Sequence, residues 1–133
     1  MHPLTANERL LLTRDTMQLL DDWGLQTREM ISLLDMPEAV KVRNFARFRD
    51  DTPFPDEPRV MKRVHYLLRI ADALRTTYPT NPQMRSRWMR QMNRRFGRRT
   101  PLAIILEGGE SGLMAVLAQL DCTYAWDLTG SKG

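Results

Sequence analysis

Residue types that support metal binding, disulfides or membrane insertion are scarce in this chain of 133 residues. Cys122 is the only cysteine, which excludes an intramolecular disulfide and is typical of a reducing compartment. The two histidines, His2 and His65, are far apart in sequence, so a zinc site is not expected. The sequence also lacks an N-terminal signal and an uncharged apolar run of about 18 residues, the length that spans a membrane. We therefore expect a cytoplasmic protein without a metal, a cofactor or a membrane anchor.

Groups suited to catalysis are equally sparse. Three pairs of adjacent carboxylates stand out, namely Asp21–Asp22, Asp50–Asp51 and Asp56–Glu57. Each pair lies at a predicted helix end or in a loop, where acids are normally solvated or complement a helix terminus. The Gly108–Gly109 pair follows a predicted helix and lacks the Lys-Ser/Thr of a phosphate-binding loop. The sequence predicts that the protein is not an enzyme.

Charge is distributed unevenly along the chain. Residues 1–58 contain seven basic and eleven acidic residues, whereas residues 59–133 contain thirteen basic and five acidic ones, giving net charges of −4 and +8. Such asymmetry favours an anionic or acidic partner for the second half. The 42% hydrophobic content is enough for the core of one compact domain or two very small ones.

The hydrophobic periodicity predicts an all-α fold. The Thr5–Glu8 capping box begins the first helix, Gly24 ends it, Thr27 caps the second, and Asn81-Pro82 and Thr100-Pro101 begin later ones. The predicted helices span residues 5–23, 27–34, 37 or 38 to 49, 58–77, 82–93, 101–107 and 113–120. The proline-rich acidic stretch 51–58 is predicted to link an N-terminal segment, 1–50, to a C-terminal partner-binding domain, 59–133.

The first three predicted helices resemble a helix-turn-helix DNA-binding unit in their order and lengths. On an α-helical wheel, the third helix places an apolar side (Ala39, Val42, Phe45 and Ala46) opposite a polar side (Lys41, Arg43, Asn44 and Arg47). The polar side is suited to phosphates and base edges in the major groove of double-stranded DNA, and also to an ordinary solvated face. A helix-turn-helix protein normally reads two half-sites, so a homodimer is expected.

Residues 85–101 hold seven arginines and no acid. The arginines at positions 87, 90 and 94 share one helix face, and Met84, Trp88 and Met92 share another. This pattern predicts an amphipathic helix in which Trp88 and Met92 pack inward while the arginines point outward, rather than a featureless basic arm.

Two motifs, WMRQMNRRFGRRTPL (88–102) and LEGGESGLMAVL (106–117), make residues 57–121 similar to the toxin-binding domain of the Xre/MbcA/ParS antitoxin family. The shared features are a helical tryptophan, an asparagine, a hydrophobic-Gly turn, a Thr-Pro helix start and a last helix after glycine. In this chain they are Trp88, Asn93, Gly97, Thr100 and Pro101. Their residue types suit structural roles. Gly97 can adopt a positive φ, and Thr100 and Pro101 can begin a helix. Asn93 can satisfy backbone groups at the end of the preceding helix, and Trp88 can pack in the core.

The resemblance implies a type II antitoxin that covers the active site of a RES or related ADP-ribosyltransferase-like toxin, which uses NAD, and that represses its own operon. It places the last helix (Leu113, Val116, Leu117, Leu120) near the toxin. The expected partner-binding residues are Arg94, Arg95, Arg98, Arg99, Tyr124 and Trp126. Exposed arginines and aromatic residues are frequent hot spots, although the two aromatic residues are equally suited to folding back on the protein's own core.

One position departs from the family pattern. Arg98 stands where the family's turn usually has a second glycine, so either Arg98 is strained at positive φ or the turn differs. Together with the density of arginines, this leaves an alternative function, a stand-alone DNA-binding transcriptional regulator without a toxin partner.

Overall fold

The computed structural model describes the backbone of residues 4–129 and the side chains of residues 4–121. Within that backbone, β-type pairing is limited to one bridge between Asn93 and Arg99, so the all-α prediction is confirmed. The α-helices are α1 (Ala6–Asp22), α2 (Thr27–Leu33), α3 (Pro58–Thr77), α4 (Pro82–Arg90) and α5 (Pro101–Thr129), and two 3₁₀ helices span Val42–Arg49 and Arg94–Phe96.

The chain divides into two compact units, Met1–His65 and Tyr66–Gly133, whose boundary falls inside α3. The predicted linker, 51–58, contains no helix before Pro58, but Phe54 within it is fully buried. The Phe54 backbone N–H also donates a hydrogen bond of 2.8 Å to the Thr13 hydroxyl. This segment is therefore built into the first unit, and the functional domain boundary at 51–58 stays a prediction.

Local capping signals explain where the first two helices begin. In α1, the Thr5 N–H donates to the Glu8 carboxylate at 2.8 Å, and the Glu8 N–H donates to the Thr5 hydroxyl at 3.1 Å. Hydrogen bonds to the Glu8 carboxyl from the Thr5 backbone, and secondarily from its side chain, hold the pKa of that carboxyl below its usual value, and the predicted capping box is confirmed. Helix α2 begins with Gln26, not Thr27, as its cap, because the Gln26 N–H is satisfied by the Glu29 carboxylate at 2.8 Å.

The prediction of a third α-helix from residue 37 or 38 is wrong. The chain forms a 3₁₀ helix that begins at Val42, and Ala39, Val42 and Ala46, predicted to be packed, are exposed. The packing of aromatic residues explains the difference: Phe48 makes edge-to-face contacts with both Phe45 and Phe54, at 5.2 Å between ring centroids in each case. A winding of three residues per turn aligns Phe45 with Phe48 towards the core.

Arg49 fixes this 3₁₀ helix to α1. Its guanidinium donates to both carboxylate oxygens of Asp21, at 2.7 and 2.9 Å, and Asp21 is the main cause of the raised pKa of Arg49. Arg14 on α1 adds a hydrogen bond of 2.8 Å to the carbonyl of Asp50, directly after the 3₁₀ helix. The position of the 3₁₀ helix is thus set by contacts with residues distant in sequence.

The second unit comprises the end of α3, then α4 and α5, and its buried side chains come from all three. They are Leu67, Ile70, Ala71, Leu74, Met89, Ile105, Leu113, Val116, Leu117 and Leu120. The predicted break at the EGGESG stretch is a bend within α5 at Gly109, whose φ of 57° and ψ of −130° are not helical. Beyond the bend α5 continues to Thr129, past the predicted end of the last helix at Leu120.

Candidate functional site

Asn93 organises the turn between α4 and α5. Its backbone N–H donates to the carbonyl of Arg99 at 3.0 Å, and its own carbonyl accepts from Phe96 and Arg98 at 3.0 and 3.2 Å. Its side-chain oxygen accepts from the N–H of Arg95 at 3.0 Å. The side chain therefore caps the following 3₁₀ helix, not the end of the preceding helix as predicted, because Asn93 directly precedes Arg94–Phe96 and its side-chain oxygen reaches the Arg95 N–H.

Two consecutive residues in this turn have left-handed backbone conformations. Gly97 has φ 63° and ends the 3₁₀ helix, as predicted. Arg98 has φ 67°, so the arginine occupies the geometry for which the resemblance implied glycine, and of the two expected outcomes the strained one is observed.

The start of α5 follows its predicted signals. The Thr100 hydroxyl accepts a hydrogen bond of 2.9 Å from the N–H of Ala103, and Pro101 occupies the first helical position, where it is buried. Together these residues fix the direction in which α5 leaves the turn.

A close approach at Gly112, which the sequence did not reveal, holds the two parts of α5 together. A Cβ atom added to Gly112 would lie 2.2 Å from the backbone oxygen of Ile104 and 2.9 Å from its carbonyl carbon. Only glycine leaves room for this contact. The contact depends on the bend at Gly109, which lies between Ile104 and Gly112 in the chain.

The packing of α4 differs from its predicted amphipathic pattern. Met89 is fully buried, Trp88 is half-buried, and Met92, predicted to face inward, is 74% exposed. The helix ends at Arg90, so Met92 lies outside the regular spiral on which the prediction for its side chain depended.

Of the seven arginines of segment 85–99, Arg87 and Arg90 lie exposed on α4, and the other five fall into two groups. Arg85 donates to the carbonyls of Tyr78 and Pro79, both at 2.9 Å, and Arg99 forms an exposed ion pair with Glu107, so these two side chains have partners within the fold. In contrast, Arg94, Arg95 and Arg98 are exposed, and their side chains take part in no hydrogen bond or ion pair among residues 4–121. We call these three residues the arginine turn.

The remaining residues expected to bind a partner lie on α5. Leu113, Val116, Leu117 and Leu120 are buried, so they form the core of the second unit, and the exposed face of α5 instead carries Met114, Ala115 and Ala118. Tyr124 and Trp126 belong to the helical backbone of α5, but their side chains lie outside the described residues.

Among the residues expected to bind DNA, Lys41, Arg43 and Arg47 are exposed. Asn44 is half-buried, and its side-chain oxygen accepts the N–H of Lys41 at 3.0 Å, so it serves as a cap of the 3₁₀ helix. The guanidinium carbon of Arg47 lies 5.0 Å from the centre of the Phe48 ring. At three residues per turn, Arg43 and Arg47 lie on different faces of the 3₁₀ helix, so the single polar face of the predicted α-helix is not formed.

No group of three or more His, Cys, Asp or Glu residues suited to a metal ion occurs in the described part of the chain. Residues Pro101–Asp121 of α5 are long and apolar enough, by length and composition alone, to cross a membrane. However, Glu107 and Glu110 interrupt this stretch, and the backbone bends between them. The most buried side chains of this stretch belong to the core of the second unit.

Comparison with known families locates one domain in this chain. Residues 73–123 match the family profile of the antitoxin Xre/MbcA/ParS C-terminal toxin-binding domain. The match covers less than half of the chain. The matching segment includes the end of α3, all of α4, the arginine turn and α5 through the bend and the core leucines, which confirms the resemblance found in the sequence. No curated protein matches the chain.

Proposed function

We propose that the protein is the antitoxin of a type II toxin–antitoxin pair and that its second unit binds and sterically neutralises a toxin. The observation that carries this proposal is the match of residues 73–123 to a toxin-binding domain. The arginine turn supports it, because three exposed arginines without partners in the described structure form a surface ready for an acidic protein. Inhibition by covering an active site needs neither catalysis nor a cofactor from the antitoxin.

For the toxin, we propose a RES or ADP-ribosyltransferase-like enzyme that consumes NAD in the cytoplasm. The family resemblance supports this class of toxin. We expect that inducing the neighbouring gene in a bacterial host stops growth and lowers cellular NAD, and that co-expression of this protein restores both.

Two variants test whether this rescue depends on the arginine turn. Replacing all three residues of the arginine turn by alanine should weaken rescue, whereas Arg69→Ala, which removes an exposed arginine on α3, should leave rescue intact. If the neighbouring product is harmless, or if the wild-type protein restores neither growth nor NAD, the antitoxin proposal is wrong.

A second proposed activity is repression of the protein's own operon through double-stranded operator DNA, with the protein as a homodimer. The exposed side chains of Lys41, Arg43 and Arg47 on the first unit favour it. If this activity were present without any toxin partner, the protein would be a stand-alone transcriptional regulator. Titration against the upstream DNA at several salt concentrations tests the activity: log–log slopes of about −0.9 per neutralised phosphate indicate backbone contacts, and a flat response excludes them.

A further inference from the structure

Arg98 has a strained backbone conformation, with φ at 67°. Within the described backbone it is one of two non-glycine residues with positive φ, the other being Asp35 at φ 54°. Asp35 follows the end of α2, and aspartate adopts the left-handed region more readily than most residues. Arginine has no such tendency, and a turn that required only this geometry would be better served by glycine or asparagine.

The side chain of Arg98 does not serve the fold either. It is exposed and has no hydrogen-bond or ion-pair partner among residues 4–121, whereas the adjacent Arg99 pairs with Glu107. Residues held in strained conformations concentrate at binding and catalytic sites, where the side chain has a use outside the fold. The strain at position 98 therefore points to an external ligand for the guanidinium.

The surroundings of Arg98 indicate an acidic protein surface as this ligand. Arg94 and Arg95 lie exposed in the same turn, and Met92, at 74% exposure, lies just before it. Segment 85–101 contains seven arginines but no lysine and no acid. Arginine and methionine are enriched in protein–protein interfaces and lysine is depleted there, while nucleic-acid surfaces use both cations.

We infer that Arg98 is the specificity-determining residue of the toxin interface, where its guanidinium forms a bidentate pair with a carboxylate on the toxin. This inference rests on the proposed antitoxin function. The left-handed backbone at Gly97 and Arg98, held by hydrogen bonds to Asn93 and Arg94, presents the side chain before the partner arrives. The turn is thus less stable than it would be with glycine at position 98, but its arginine is already positioned for binding.

Two quantities are measured for the full-length wild-type protein and for each variant. They are the melting temperature and the affinity for the purified product of the neighbouring gene. Arg98→Gly should raise the melting temperature by about 4 °C, since it removes the strain, and should weaken binding at least tenfold. Arg98→Lys should give no gain in melting temperature and only partial binding, because lysine keeps the charge but loses the bidentate geometry. Arg69→Ala is the matched control for loss of one exposed charge and should change neither quantity.

The outcomes separate this inference from the proposed function. If the wild-type protein binds the toxin and Arg98→Gly binds equally well, or if the melting temperature does not rise, the inference about Arg98 is overturned while the antitoxin function stands. If the wild-type protein does not bind, both are overturned. If Arg98→Gly loses affinity for a random-sequence DNA duplex but keeps the toxin, the ligand is phosphate and the inference is also overturned. Arg98→Asn, which tolerates the left-handed region, replaces Arg98→Gly if the glycine variant does not fold.

Discussion

At Gly112, one methyl group is enough to disturb the second unit. The nearest atoms to an added Cβ, at 2.2 and 2.9 Å, belong to the backbone of Ile104 and cannot rotate away as a side chain would. We expect Gly112→Ala to destabilise the protein by about 3 kcal/mol, the upper part of the usual range for overpacking a core. Urea unfolding of the full chain measures this loss. Ser111→Ala, at the adjacent exposed position, is the control and should change stability little; equal midpoints for both variants would contradict the close approach.

Residues in the turn whose roles are local could be predicted from the sequence, whereas those that depend on distant partners could not. Gly97, Thr100 and Pro101 were predicted correctly because each acts on its own backbone or that of the next few residues. The division of the arginines was not predicted, since it depends on partners such as Glu107, which lies eight residues from Arg99 and reaches it only through the turn. Which arginines are available to a partner is therefore a property of the folded turn.

At the scale of elements, the two neighbouring glycines in α5 have opposite roles. Gly109 has φ 57° and ψ −130°, a conformation essentially limited to glycine, whereas Gly108 is helical with open space around it. We expect Gly109→Ala to cost about 2 kcal/mol and Gly108→Ala to be neutral or stabilising by up to about 1 kcal/mol. Chemical denaturation of the two variants provides the comparison, and a shift of the same sign in both would show that the bend is not fixed at Gly109.

Helices whose ends are set by nearby residues were predicted correctly, and the helix that depends on residues distant in sequence was not. The α1 capping box and the span of α3 were predicted correctly because their signals lie within the helix or at its ends. The third helix was predicted wrongly because its winding depends on Phe54, which is six residues beyond Phe48, and on the link between Arg49 and Asp21 across 28 residues. An α-helical wheel assumes α-helical winding, whereas these distant contacts favour 3₁₀ winding in this segment.

At the scale of the whole molecule, the opposite charges of the chain's two halves suggest a division of labour. On the first unit Lys41, Arg43 and Arg47 are exposed, whereas Arg49 is already paired with Asp21. The second unit carries the segment that matches the toxin-binding domain, together with the arginine turn, whose side chains have no hydrogen-bond or ion-pair partner among residues 4–121. If the proposed activities are both present, each should depend on a different unit and should be removable without the other.

If the two activities depend on different units, two sets of substitutions should have opposite effects on operator binding and on toxin neutralisation. Replacing Lys41, Arg43 and Arg47 by glutamine, which retains the aliphatic part of each side chain, should weaken operator binding at least tenfold. It should also lower the magnitude of the salt slope by up to about 3, because each lost phosphate contact contributes about 0.9. The same variant should neutralise the toxin as well as the wild-type protein does, and the arginine-turn alanine variant should behave in the reverse manner. Gel-shift titration and growth rescue, performed on both variants, measure the two activities; if either variant loses both while its melting temperature is unchanged, the two units do not act separately.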